Sequence, residues 1–478
     1  MKKFWLLLLS LGLVMAFSVS AFAVDVKVSA DYYVGGVYLN KTSLISAQEN
    51  ENVSNPSTAF FYQGLRVGAD FVVSPGLKLV TQFDAMERIW GGARSSVNVS
   101  DANGPGTRAE AENIAFRKVY IDYTSPVGLF KVGYMQDYEW GTVFGDRTSG
   151  ATVGQIQYFF QKGPFTGFIG YAKEADNSVS AAGGYGVTDV DYDSYRLAGI
   201  YNFKGGEAGV LFLFNRNAAD KADYYLSGYA PNAAGYLQSV YVIDPYVKAK
   251  IGPVKLQAEA QYWFGDAAKW EDERSPAIFE PPPLHYQPNV SIGALSIFVD
   301  ASAEFGMFYA GGSFAYLSGD DPGTSDKIEG GVNTAGLDWN PCLIMFNHEL
   351  NYWAGTVSGH NGSTLNEEMS NAWFFQGRVG VKPTPKWDVM LAFSHAFADK
   401  KPVSTDFPWY PTYGGGTYGT EVDVTATYKI TNNLSYMLGA GYLFTGDYFK
   451  GAANGAPDEP TKDVNNDFIL INKLTLSF

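Results

Sequence analysis

The sequence predicts an all-β protein: a transmembrane antiparallel up-and-down β-barrel of about eighteen strands, with sixteen as the alternative count. Three observations predict it. Apolar and polar residues alternate along one segment after another, the mark of a strand with a single apolar face. The connections between those segments are by turns very short and very long, as expected of short periplasmic turns and long extracellular loops. The composition is rich in aromatics (33 Phe, 32 Tyr and 10 Trp, together 16%) and in Gly (53), with only 17% charged residues, against about 25% in an average soluble domain.

The chain opens with "MKKFWLLLLSLGLVMAFSVSAFA". Lys2 and Lys3 form a positive n-region, Phe4 to Val14 an apolar h-region, and Ala21-Phe22-Ala23 an A-x-A cleavage site. Residues 1–23 therefore read as a secretory signal peptide and 24–478 as the barrel. An uncleaved anchor is the weaker reading, because the apolar core falls short of the ~20 residues that a spanning helix needs. No later apolar run has that length, which excludes a polytopic helical protein.

The strands follow in order. The first is expected over 25–39. The second, 58–73, places Phe61, Leu65, Val67, Ala69, Phe71 and Val73 on one face and Arg66, Gly68 and Asp70 on the other. "SPG" turns it into the third, 77–91, where Leu77, Leu79 and Phe83 oppose Lys78, Gln82, Asp84 and Arg88. Pairs follow at 114–123 and 129–141 around "TSPVG", 151–162 and 165–175 around "KGP", and 194–204 and 208–216 around "KGGE". Strands 239–251 and 254–264 flank "GP", and in the latter Leu256, Ala258, Ala260 and Tyr262 oppose Lys255, Gln257, Glu259 and Gln261. Next come 290–302 and 305–317, then 370–382 and 387–398 around "TPK", and 420–430 and 434–446 around "TNN". In 420–430, Val422, Val424, Ala426 and Tyr428 oppose Glu421, Asp423, Thr425 and Lys429. These turns use the Gly, Pro and Asn chemistry that reverses a chain tightly.

The last strand, 466–478, carries Phe468, Leu470, Leu474, Leu476 and Phe478 on one parity. It is expected to pair with 434–446 and with 25–39, because a barrel leaves no edge open in a membrane. A soluble sandwich also alternates. Charge at mid-strand on the polar faces, and strands of ten or more residues, fit a tilted membrane crossing instead. Trp90, Trp140, Trp263 and Trp373 are expected at outer strand ends and Trp387 at a periplasmic end, where interfacial aromatics belong. The long connections are 40–57, 93–113, 176–192, 218–238, 266–289, 318–369, 399–418 and 447–465.

The formal charge is −15; without the two signal lysines, 32 basic residues face 49 acidic ones, or −17. That balance excludes nucleic acid as a partner. Cys342 is the sole cysteine, so no intrachain disulfide or Cys-rich zinc site is available. With four histidines (His285, His348, His360 and His395) and no G-x-S-x-G, H-E-x-x-H, P-loop or C-x-x-C-H motif, no enzyme, cofactor or metal site is expected.

If the polar parity faces the lumen, its basic members are Arg66, Arg88, Lys118, Lys131, Arg196, Lys248 and Arg378. Its acidic members are Asp70, Asp84, Asp122, Asp137, Glu259, Asp300 and Asp423. Such a set either selects solutes through a transverse field or pairs internally and only keeps the wall wet. The longest connection, 318–369, holds "PCLIMFN", Trp339, Tyr352 and Trp353, apolar matter unsuited to open water. It is expected to fold inward and narrow the pore, with Asp338, Trp339, Asn340 and Asn347 in the constriction; packing on the rim or on a neighbouring subunit is the alternative. The acidic run Asp320, Asp321, Asp326 and Glu329 lacks EF-hand spacing and reads as a solvated face.

With the leader, the strands from Val24 onward and the terminal "LTLSF" in view, the chain resembles Gram-negative outer-membrane porins. "AYLSGDDPG" and "DWNPCLIMFN" are similar to stretches of large deltaproteobacterial-type porins, and loosely to alginate-export-like barrels. The resemblance implies a channel in the cell outer membrane for passive diffusion of small hydrophilic solutes or ions, surrounded by outer-membrane lipid. It also implies that Phe478 signals to the barrel assembly machinery, and it leaves a homo-oligomer open. The stretch "GTVFGDRTSG" after the fifth strand is much shorter than the constriction loop of general trimeric porins. The other readings are a partner-holding sheath for an electron-transfer protein, or a loop-based adhesin or receptor.

Overall fold

A computed structural model describes residues 24–46, 56–91, 114–137, 139–145, 152–177, 190–219, 236–270, 289–360, 363–401, 415–450 and 463–478. The leader and much of the long connections lie outside the described residues, as do 146–150 of "GTVFGDRTSG". Eighteen strands form one closed antiparallel barrel: β1 (Asp25–Leu39), β2 (Thr58–Ser74), β3 (Leu77–Ile89), β4 (Ile114–Ser125), β5 (Gly128–Gln136), β6 (Thr152–Lys162), β7 (Phe165–Ala175), β8 (Tyr192–Phe203), β9 (Gly206–Asn217), β10 (Tyr236–Ile251), β11 (Val254–Trp270), β12 (Val290–Phe305), β13 (Phe308–Leu317), β14 (Ala372–Val381), β15 (Trp387–Ala398), β16 (Thr417–Lys429), β17 (Leu434–Thr445) and β18 (Asp467–Ser477). Each strand pairs with the next, and β1 pairs with both β2 and β18. Tyr38 stands opposite Leu470, and the backbones of Ala30 and Phe478 exchange hydrogen bonds of 2.9 and 3.0 Å. The final aromatic is thus held in the ladder, and no strand edge is left for hydrocarbon to meet.

The expected eighteen strands are present, with small shifts at their ends. β11 runs on to Trp270, where a loop was expected from residue 266. A register shift between Asp266 and Ala268 lets the weakly apolar "GDAAKW" stay in the ladder. The tight turns use Gly163 (φ 58°) and Gly252 (φ 60°), a left-handed conformation that Gly reaches without a Cβ penalty and that matches strand twist in two-residue hairpins.

Contacts made across the interior identify the inward face: Lys473 with Glu349 at 2.7 Å, Gln376 with the Pro341 carbonyl at 2.6 Å, and Glu421 with the amides of Ile344 and Met345 at 2.7 Å each. The opposite parity is the apolar one, and it is exposed: Val28, Ile121, Val132, Ile156, Leu197, Phe393, Leu470 and, at 64%, Phe478. In water such a surface would be strongly unfavourable; against lipid tails it is the matched one.

Among the register shifts, two bulges change which residues face the lumen. Met86 (φ 55°) and Glu87 together face Gly64, since Leu65 stands opposite Ala85 but Gln63 opposite Arg88. One extra residue reverses the parity beyond it. Arg88, expected in the lumen, therefore stands on the outward face with Trp90 and Phe61, while Glu87 and Ile89 turn inward. Arg117 is the extra residue of β4, between Phe116 and Lys118, and its guanidinium reaches Asp84 at 3.2 Å. Trp90, Trp373 and Trp387 stand at strand ends as expected, Trp90 and Trp387 with their rings exposed. Trp140 and Trp263 are corrections: both turn inward and pack on Ala198, Leu211, Leu213 and Val242.

Candidate pore and its inward loops

The long connection between β13 and β14 begins at the rim. Lys327–Ile328 lies parallel to Ser291 and Ile292 of β12. Asp320 accepts the Glu329 amide at 2.8 Å, Asp321 pairs with Lys400 at 2.9 Å, and Lys327 pairs with Glu329 at 2.6 Å. Asp320 and Glu329 thereby organise their own loop, while Asp321 ties it to Lys400 beyond β15. From Val332 the chain turns into the barrel through a 3-10 turn (Gly336–Asp338), the bends and turn of 339–347, where Phe346 has φ 55°, and a short helix, α1 (His348–Ala354).

Apolar side chains hold this segment inside. Ile344, Met345, Phe346, Leu350 and Trp353 are buried with wall residues Leu39, Phe60, Phe298, Leu317, Phe374, Tyr418, Leu443 and Ile469. Trp353 stacks on Tyr62 with ring centroids 4.6 Å apart. The segment thus leans on the arc of wall from β12 through the closure to β3. Polar anchors complement the packing. Glu421 takes two loop amides, Asp423 takes the Leu343 amide at 3.3 Å, and the Tyr352 hydroxyl donates to Glu87 at 3.4 Å. The four residues expected to form a constriction divide by role. Trp339 packs edge-on to Phe144 and Phe298. Asn340 and Asn347 brace the loop internally: Asn340 links Leu337 to Glu349, while Asn347 donates to the Cys342 and Leu343 carbonyls and caps α1 at Leu350. Asp338 is exposed.

A second inward segment was not anticipated. Despite its shortness, the connection after β5 turns into the lumen over 139–145. Glu259 of β11, 2% exposed, receives the amides of Thr142, Val143 and Gly145 and the Thr142 hydroxyl. Trp140 Nε1 donates to the Asp244 carbonyl at 2.9 Å. The Thr334 hydroxyl donates to the Phe144 carbonyl, which ties the two inward segments together. An acid facing the lumen at mid-strand was the available signal, but nothing in its spacing shows that three backbone amides converge on it.

Between the start of the second segment, at Glu139 and Trp140, and the arc β4–β9 lies a cavity of about 240 Å³. Lys118, Lys131, Asp137, Glu139 and Arg196 bring charge to it, beside the rings of Tyr120, Trp140, Phe159 and Phe168. Most of these charges, and most of those in the wider lumen set, are paired. Lys118 meets Glu139 at 2.8 Å, and Arg196 bridges Asp137 and Glu174. Elsewhere Arg66 meets Asp84 at 2.7 Å, Lys78 meets Asp70 at 2.9 Å and Arg378 meets Asp300 at 2.7 Å. Lys131 differs. Asp122 is opposite it in register, yet among the described residues its ammonium has no carboxylate within ion-pair distance. It lies over the rings of Tyr120 and Phe159, 5.8 and 5.3 Å from their centroids. Lys248 similarly lies over Tyr246 at 5.3 Å.

The geometry is that of a transmembrane β-barrel: greasy outside, charged inside, with two connections folded into its own lumen. Among solved structures it is similar to OpdK of Pseudomonas aeruginosa crystallised with vanillate, at 14% identity and a TM-score of 0.48 over 95% of this chain and 99% of that one. It is also similar to the outer membrane channel DcaP of Acinetobacter baumannii (12%, TM-score 0.42, 96% and 99%) and to an anion-selective porin from Comamonas acidovorans (10%, TM-score 0.41, 95% and 99%). No protein-family model and no curated protein matches the sequence. The architecture stated above rests on the strand register and not on these likenesses.

Proposed function

We propose that this chain is an outer-membrane channel through which small hydrophilic solutes or ions diffuse passively. One observation carries the reading: a closed eighteen-strand barrel wears its apolar residues outward and its charges inward, around a lumen that keeps an open, charge-lined cavity. Barrels of this strand number are wide enough for an aqueous path. The path lowers the barrier by replacing hydrocarbon with water and fixed charge, and no chemical step is required. In this reading residues 1–23 direct export, outer-membrane lipid surrounds the apolar face, and Phe478 engages the assembly machinery. Lys131, like Lys248, is a fixed positive charge left to act on a passing ion, whereas Lys118 and Arg196 beside it are ion-paired. The wall pairs act as structure, as in the internally paired reading of the lumen set. A sheath around a partner protein would need the space that the two inward segments occupy.

Purified protein in planar bilayers tests this. Discrete, reproducible conductance steps are expected from the folded barrel alone. Folded, detergent-solubilised protein that inserts and yet passes no current would overturn the channel.

A further inference from the structure

We propose that Cys342, Glu421 and Asp423 form a site for a divalent transition metal, zinc being the ion whose chemistry fits, and that the metal clamps the inward loop to the barrel wall. Glu421 and Asp423 occupy successive inward positions of β16. Cys342 comes to them from the loop, in the stretch whose next three amides are already bonded to the same two carboxylates. One donor atom from each of the three lies within 4.8 Å of the others. All three residues are buried, Cys342 and Asp423 at 3% exposure and Glu421 at 0%.

The charges in this space do not balance. The two carboxyl groups stand within hydrogen-bonding reach of each other, and among the described residues no Lys, Arg or His pairs with either. Asp423 Oδ1 is buried with no hydrogen-bond partner at all. Two adjoining buried carboxylates need positive charge between them, supplied by a proton or a metal ion. The loop amides occupy one lone pair on each Glu421 oxygen and on Asp423 Oδ2, so a second lone pair on each remains available. Sulfur beside two carboxylates suits zinc, whereas calcium and magnesium take oxygen alone. Zinc holds sulfur at ~2.3 Å and oxygen at ~2.0 Å, so tetrahedral ligands stand about 3.5 Å apart. The set therefore has to draw in by roughly an ångström, a movement open to Cys342 because it sits on a loop and not in the ladder. A fourth position is left for water.

The test uses the intact, folded barrel in detergent. Isothermal titration with zinc alone is expected to show one tight equivalent per chain. Cys342→Ser and Asp423→Asn are each expected to weaken that equivalent at least tenfold while the barrel stays folded by circular dichroism. X-ray absorption of the zinc-loaded wild type, which needs no variant, is expected to show one sulfur in the first shell, and Cys342 is the only sulfur-donor thiol in the chain. An all-oxygen and nitrogen shell, or binding indifferent to both substitutions, would place the ion on the acidic loops and overturn the site. Absence of tight zinc binding would leave a shared proton as the counter-charge and overturn it equally. None of these outcomes depends on conductance, so the proposal stands or falls apart from the channel reading.

Discussion

Lys131 shows at the scale of one residue why a list of charged positions is not a field. Charge on the inward parity was legible in the sequence because alternation alone assigns faces. Which charges cancel was not, because pairing depends on cross-strand register. Arg66 is neutralised by Asp84, Arg196 by Asp137 and Glu174, and Arg378 by Asp300, whereas Lys131 keeps its charge beside two aromatic rings. Lys131→Glu is therefore expected to move the reversal potential in a salt gradient toward cation preference. The shift should be several-fold in the permeability ratio, since unit charges ~4 Å apart interact by about 1 kcal/mol even in a medium as polar as water. Lys118→Gln combined with Glu139→Gln is expected to shift it far less, because that pair already cancels and its joint removal leaves the net charge unchanged. Equal shifts from the single and the paired substitution would contradict the assignment.

Glu259 makes the second case at this scale. It receives three amides and a hydroxyl from 142–145, and bonds to a charged acceptor contribute ~1.5–3 kcal/mol each. Glu259→Ala leaves those donors without a partner and is expected to free the short inward segment. Enhanced cleavage after β5 by limited proteolysis and a noisier open current would report it.

At the scale of elements, the eighteen strands were readable because a period of two needs only local sequence. The bulges were not. Neither Met86 nor Arg117 announces an extra residue, and one such residue sufficed to move Arg88 from the expected lumen to the outer face. The apolar run "PCLIMFN" in 318–369 was reason to expect that this connection leaves open water, either inward or onto the rim. Its detailed anchoring was not readable, because the side chains that receive Ile344, Met345 and Leu343 come from β16, far along the chain. Deleting 335–350 is expected to raise single-channel conductance, as it removes the packed segment from the lumen; an unchanged conductance would mean that the loop does not narrow the path.

The rim part of the same connection should respond to acid. Lys400 beside Asp321, with the Gly323 amide, holds the Asp321 carboxyl below its ordinary value of 3.8. A depressed folded-state value means that the pairing supports the loop above that pH and is lost as the pH falls through the lowered value. Hydrogen exchange over 318–331 is therefore expected to quicken below pH 3.8 and to lose that dependence in Lys400→Ala. The effect is small, because both partners are exposed to solvent.

At the scale of the whole molecule, closure is the controlling fact. β18 joins β17 to β1 over its full length, with Leu434 opposite Leu476 on one side and Leu39 opposite Ile469 on the other. Removing 467–478 opens both edges at once, and each unpaired backbone group in hydrocarbon costs several kcal/mol. Such a truncation is expected to give no heat-modifiable barrel on a gel, whereas Phe478→Ala keeps the ladder and folds in detergent. Conversely, intact barrel that remained monodisperse without detergent would refute lipid as the solvent of the outer face.

Alternation, turn chemistry and composition by themselves determined that this chain is a large antiparallel membrane barrel with a greasy exterior, because those properties are written at spacings of one to three residues. Tertiary structure alone decided which lumen charges survive pairing, that a short connection after β5 also enters the lumen, and that Cys342 meets Glu421 and Asp423. These depend on which distant strands become neighbours when the sheet closes, and closure is a property of the whole ring and of no segment within it.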